Sequence, residues 1–174
     1  IAAQLGADVC ACLYCGTIYA RSIGDQVEVL RDLPSMHILL VNPNIAIATK
    51  EVYAAHEIYE TSRAHTPPEL PENFQNVEDL CAYLTAKGND LQETVSRHYP
   101  VVQDLLHHMK NQPGAHYAAM SGSGSTCFAI FTDTVLARDA EKYMRKQQLW
   151  TCLTRTTDAD YAAAHILAEG IAFS

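Results

Sequence analysis

Between residues 115 and 131 the sequence reads AHYAAM, then SGSGS, then TCFAIF, two short apolar runs parted by serine and glycine alone. Runs of this length and character read as buried strands, and the residues between them must carry the chain out of one and into the other. Gly122 and Gly124 have no Cβ, so the backbone there can take positive φ and turn successive N–H groups into one concavity, to which Ser121, Ser123 and Ser125 add hydroxyl donors. A phosphate would be held in such a loop by geometry, without any cation. The same residues also describe an ordinary glycine-rich turn between two strands.

A chain of 174 residues with 48% hydrophobic and 18% charged residues is globular and long enough for one well-buried domain, or for one domain with part of another attached. Its formal charge of −8 comes without any cluster of Lys and Arg, which argues against a nucleic-acid groove or an anionic membrane as partner. The longest uncharged apolar stretch, Met36 to Thr49, is too short and too polar to span a bilayer, and no signal peptide opens the sequence. The opening IAAQLG reads as the last turns of a helix stopped by Gly6, so the chain is expected to begin inside a domain. Six cysteines in this setting point to reduced thiols and a cytoplasmic location.

Residues 16–30 alternate as two strands around a turn at Ser22 to Asp25, and Met36 to Val41 is a further strand ended by Asn42-Pro43-Asn44. A helix is predicted from Thr49, whose hydroxyl has N-cap chemistry, with Val52, Ala55, His56 and Tyr59 on one face. Its first turn presents Thr49 and Tyr53 past the end of the preceding strand, although taken by itself Tyr53 is better read as an amphipathic core contact. The proline-bearing segment 62–75 is a long connection. Helical spacing returns at Val77, Leu80, Cys81 and Leu84, stops at Lys87-Gly88, and restarts after Asn89 as a helix over 90–111 that is bent or interrupted near Pro100. After the strands on either side of the glycine loop, Thr132-Asp133 opens a helix to about Gln148, with Val135, Leu136, Ala140, Tyr143 and Met144 inward, and Leu149 to Arg155 is a last strand. This order predicts an α+β sandwich, helices packed over an antiparallel sheet.

Asp8, just past Gly6, sets a carboxylate at the mouth of a turn, either as a general base or substrate-orienting charge or as the partner of a turn amide. Cys10, Cys12 and Cys15 form C-x-C-x-x-C, but a zinc or iron–sulfur site wants four ligands, and Cys81 lies far off without Cys or His at ligand spacing. Their apolar neighbours suit small buried thiols. His107 and His108 cannot share one metal, because adjacent helical residues diverge by about 100°. No metal site is expected.

Three separated pieces match one pattern in order: LGADV at Leu5 to Val9, NDL at Asn89 to Leu91, and MSGSGSTCFAIF at Met120 to Phe131. With YARSIGDQVEVL and ILLVNPNIAIATKEVY fitting by type and spacing, the chain resembles, nearly end to end, the C-terminal portion of the GHMP kinase branch that acts on a cytidine-diphosphate-linked methylerythritol. The resemblance implies transfer of the ATP γ-phosphate, with Mg2+, to a hydroxyl of 4-diphosphocytidyl-2-C-methyl-D-erythritol, a step in non-mevalonate isoprenoid biosynthesis. By the same likeness Asp8 is the catalytic carboxylate, Ser121, Gly122, Ser123, Gly124 and Ser125 form a loop near the phosphates, and Ile23, Thr49 and Tyr53 lie near the cytidine end of the substrate. Residues 1–33 would end an N-terminal domain and 34–174 would form the C-terminal one, with the main nucleotide motif in an N-terminal half that this chain lacks, so that alone it is expected to be inactive. Cys10 departs from a usual proline and Ser22 from a customary glycine. A non-catalytic α+β binding or oligomerisation domain, or a GHMP kinase for another small alcohol, are the alternatives.

Overall fold

The computed structural model describes residues 17–21, 26–29, 33–59, 71 and 73–157. The chain divides into two compact units, one of Ile1–Pro34, Leu70–Phe74 and Thr156–Ser174, the other of Ser35–Glu69 and Gln75–Arg155. In the first, β1 (Ile18–Arg21) and β2 (Gln26–Val29) pair antiparallel, Ile18 opposite Val29 and Arg21 opposite Gln26, as the alternation predicts. Arg21 reaches Glu28 at 3.4 Å and lies over the Tyr19 ring, 4.9 Å from its centroid. Both contacts are solvent-exposed and stabilise the pair only slightly. Ser22 and Ile23, where the sequence predicts a turn, and Asp8, Cys10, Cys12 and Cys15 before them lie outside the described residues.

The second unit runs β3 (His37–Asn42), α1 (Thr49–Tyr59), α2 (Val77–Lys87), α3 (Asp90–His98), α4 (Pro100–Lys110), β4 (Ala115–Met120), β5 (Cys127–Phe131), α5 (Thr134–Lys146) and β6 (Trp150–Arg155). Its strands form one four-stranded antiparallel sheet in the order β4-β5-β3-β6. Helix α4 packs on β4 and β5, α5 on β6 and β3, and α3 packs against both α1 and α4. The predicted α+β sandwich is the fold that forms.

Period-two alternation decides which side of the sheet the helices cover. Leu39 and Val41 of β3 are fully buried, as are Cys127, Ala129 and Phe131 of β5, and all belong to one core cluster. Val102, Leu105 and Met109 of α4 and Ala137, Ala140 and Met144 of α5 close over them.

The inward face of α5 differs from the expected one. Val135 is 66% exposed and Tyr143 39% exposed, while Ala137 carries the packing instead. Asp133 caps this helix, accepting from the N–H groups of Val135 and Leu136 at 2.6 and 3.1 Å, and so fixes where it starts, while packing on β3 and β6 sets its rotation. The buried stripe is then 137, 140 and 144, and Val135 stands about 200° from Ala137 around the axis. Alanines on that stripe let the helix come close to the sheet, which larger residues would prevent.

The expected interruption near Pro100 is a full break. Pro100 cannot donate the bond that would continue α3, and it disfavours helical geometry at the residue before it, so Tyr99 sits at φ −129° and ψ 80° and Pro100 starts α4. Asn89 caps α3 as predicted, accepting from Leu91 N–H at 3.0 Å.

Burial pushes the Cys127 thiol up from 9.0 to about 12. The folded protein therefore keeps this proton where the unfolded chain has lost it. That contribution is complete below pH 9.0 and is lost as pH climbs toward about 12. Over that range, denaturant unfolding should show wild-type stability falling about 1.4 kcal/mol per pH unit more steeply than that of Cys127→Ala. Equal slopes would mean that the buried thiol ionises as readily as a free one.

Candidate functional site

Where β4 ends and β5 begins, the serine–glycine turn leaves the sheet. Ser121 N–H donates to Thr126 O at 2.9 Å, and Gly124 N–H donates to Ser121 O at 3.0 Å, so Gly124's amide closes the turn on itself. Gly122 and Gly124 take φ of 54° and 87°, the positive values their missing Cβ atoms permit. Among the described residues, the amides of Gly122, Ser123 and Ser125 have no hydrogen-bond partner.

Side chains from distant elements hold the turn in place. Asn42 Nδ2, at the end of β3, donates to Thr126 Oγ1 at 2.9 Å. Ser125 Oγ donates to Ile45 O at 2.6 Å and is buried, so of the turn's serines this one faces inward. Asn89 Nδ2 donates to Met120 O at 2.9 Å and to Gly122 O at 2.8 Å, while Gln92 Oε1 accepts the Met120 N–H at 2.9 Å. Thr49 Oγ1 and Ser123 Oγ share a hydrogen bond of 2.9 Å.

That last contact corrects the reading of Thr49 as a helix cap. Ala48 O accepts from the N–H groups of Glu51 and Val52 at 2.9 and 3.2 Å, which makes Thr49 the first residue inside α1. One position inside the helix its hydroxyl no longer folds back onto the first-turn amides, and it meets the turn instead. Tyr53 lies four residues on, on the same face of α1. It is 53% exposed, whereas its neighbour Val52 is buried, so Tyr53 is not a core contact.

Thr49, Tyr53 and the turn thus share one edge of the second unit. Asp8 and Ile23 lie outside the described residues. Asn42, Asn89 and Gln92 as anchors of the turn escaped the sequence reading. Asn89 stands out as a cap and within the NDL piece of the resemblance, not as a partner of the turn, and Asn42 is 84 positions from Thr126 and Gln92 28 from Met120, with no local signal joining them.

Among the described residues no group of three or more His, Cys, Asp or Glu could hold a metal ion, and no helix is long and apolar enough to cross a membrane. His107 and His108 are both exposed.

Fold and turn together define a two-layer α+β domain with a serine–glycine turn at one end of its sheet, hydrogen-bonded to the start of a helix. The chain belongs to the GHMP kinase C-terminal family, whose model, described as GHMP kinases C terminal, matches residues 54–148. It is 38% identical over 147 residues to 4-diphosphocytidyl-2-C-methyl-D-erythritol kinase of Granulibacter bethesdensis, covering 84% of this chain and 47% of that protein. The protein of the same name from Chelativorans sp. is also 38% identical over 147 residues, covering 84% of this chain and 48% of its own length. A crystal structure of 4-(cytidine 5'-diphospho)-2C-methyl-D-erythritol kinase superposes with a TM-score of 0.65 at 25% identity, over 88% of this chain and 53% of that one. The chain spans about half the length of the curated relatives it matches.

Proposed function

We propose that this chain is the C-terminal portion of an ATP-dependent kinase that phosphorylates a hydroxyl of 4-diphosphocytidyl-2-C-methyl-D-erythritol in the cytoplasm, and that it completes its site with an N-terminal half on the same polypeptide. The observation that carries the reading is the Thr49–Ser123 hydrogen bond of 2.9 Å, which joins the serine–glycine turn to the helix bearing an exposed Tyr53. A turn with unpaired amides suits the phosphates of ATP, and an exposed ring on the same edge suits the base of a second, nucleotide-linked ligand. The relatives' names supply that ligand: a nucleotide-linked alcohol.

In this reading Ser121, Ser123 and the free amides of Gly122, Ser123 and Ser125 donate to phosphate oxygens, and the Gly124 amide and Ser125 hydroxyl hold the turn's shape. Thr49 and Tyr53, with Ile23, contact the cytidine end. Asp8 orients the attacking hydroxyl and accepts its proton late. Residues 1–33 end the N-terminal domain and 34–174 form the C-terminal one. Mg2+ would supply charge neutralisation on the ATP phosphates, and among the described residues none is assigned to hold it.

The test is an ATP-dependent phosphorylation assay on the named alcohol, with this chain alone and with the upstream half of the polypeptide restored. Turnover in the restored protein only is the expected result, and no turnover in either form, of this or of other GHMP alcohols, would remove the kinase reading. Tyr53→Ala in the restored protein should raise KM for the alcohol about tenfold, from loss of base stacking, and leave KM for ATP and thermal stability unchanged. An unchanged KM for the alcohol would take Tyr53 out of the substrate site.

A further inference from the structure

Two asparagines cap helices in this fold, and they do different work. Asn76 Oδ1 accepts the Asp79 N–H at 2.8 Å at the start of α2, and among the described residues that is its only side-chain hydrogen bond. Asn89 Oδ1 accepts the Leu91 N–H at 3.0 Å at the start of α3, and its Nδ2 donates to Met120 O and Gly122 O as well.

The sheet order explains why Met120 needs these partners. β4 is an edge strand, and Met120, its last residue, turns both its N–H and its C=O away from β5. Backbone groups buried there without partners are costly. Gln92 takes the N–H and Asn89 the C=O, so the first turn of α3 stands in for a missing strand.

The second donor bond has a consequence for the turn. Gly122 C=O and Ser123 N–H belong to one planar peptide and point in opposite directions. Holding the carbonyl at 2.8 Å from Asn89 Nδ2 therefore fixes where the Ser123 N–H points, and that N–H has no partner among the described residues. A glycine on one side of this peptide leaves its orientation otherwise poorly determined. Only a primary amide supplies the cap oxygen and both donor hydrogens at once. Aspartate at position 89 would keep the cap, lose both donors, and set a carboxylate against two carbonyl oxygens.

We propose that Asn89 is a positioning residue for nucleotide binding: through the Gly122 carbonyl it aims the Ser123 N–H at a phosphate of the bound nucleotide. The proposal rests on the kinase reading above and adds to it a residue that touches no substrate.

The test uses the protein with its upstream half restored and compares N89D with N76D, since Asp is as good an N-cap as Asn at both sites. Calorimetry with ADP gives the nucleotide Kd, steady-state kinetics give the two KM values, and thermal melting reports folding. N89D should raise the Kd for ADP and the KM for ATP about tenfold or more and leave the KM for the alcohol within about twofold, because only phosphate contacts are misaimed. N76D should change neither KM. A loss of folded protein alone would lower the active fraction without separating the two KM values. If N89D does not fold, N89S, which keeps a cap oxygen and lacks the amide nitrogen, is read in the same way. A folded variant binding ADP as tightly as wild type would overturn the role of Asn89. A wild-type protein that binds no nucleotide would overturn the kinase reading instead, so the two failures are distinguishable.

Discussion

Asp8→Asn in the protein with its upstream half restored should lower kcat by roughly two orders of magnitude or more, with modest change in either KM. Asparagine keeps the size and much of the turn-forming capacity of aspartate, and removes the charge and the proton-accepting oxygen. An ordinary carboxylate, with a pKa near about 4, is a weak base at neutral pH. Phosphoryl transfer through a loose transition state asks little of a base until late, and asks mainly that the hydroxyl be aligned with the phosphorus. The predicted loss is therefore one of alignment and late proton acceptance, and it should fall on kcat. Single-turnover kinetics separate it from slow product release. Near-normal turnover would remove Asp8 from the mechanism and leave it as the partner of a turn amide.

Gly124→Ala should be the most damaging single change in the serine–glycine turn. Its φ of 87° is a conformation that alanine adopts only under strain, and an added Cβ would stand 2.8 Å from Met120 Sδ and 3.6 Å from Ile47 Cδ1. Met120 is flexible in principle, but it is 2% exposed and part of the core, so moving it disturbs its neighbours. Strain and overpacking together should cost about 2 kcal/mol of stability, and displacement of the turn by about an ångström should lower kcat/KM for ATP about a hundredfold. Gly122→Ala is the internal comparison. At φ 54° with nothing within 4 Å of the added Cβ, it meets strain without a clash and should cost less on both measures. Thermal unfolding and steady-state kinetics on the pair check this, and equal losses would mean that contact with Met120 does not matter.

The unequal roles of these two glycines show where local sequence stops being informative. Both were marked as positions for positive φ, because a missing Cβ is a property of the residue alone. That one of them also packs on a core methionine depends on where β4 delivers Met120. The same division runs through the helices. Pro100 breaks α3 from α4, and Asn89 and Asp133 cap their helices, through bonds made or forbidden within a few residues. Such features are legible because both partners lie in the same short window. The outward face of Val135 and Tyr143 was not, since apolar residues at near-helical spacing fit more than one rotation until packing on the sheet selects one.

Strand and helix order, the α+β class, the family likeness and the residues of the turn are all carried by periodicity, by proline and glycine, and by a short motif. Which side chains meet at the turn is not. Thr49 meets Ser123 across 74 positions, Ser125 meets Ile45 across 80, and Asn89 meets Gly122 across 33. These bonds exist because the loop after β3, the start of α1 and the start of α3 all meet the turn between β4 and β5, and a hydrogen bond needs both groups within about 3 Å and correctly angled. Spacing along the chain carries no information about that approach, so the candidate site took its shape from packing.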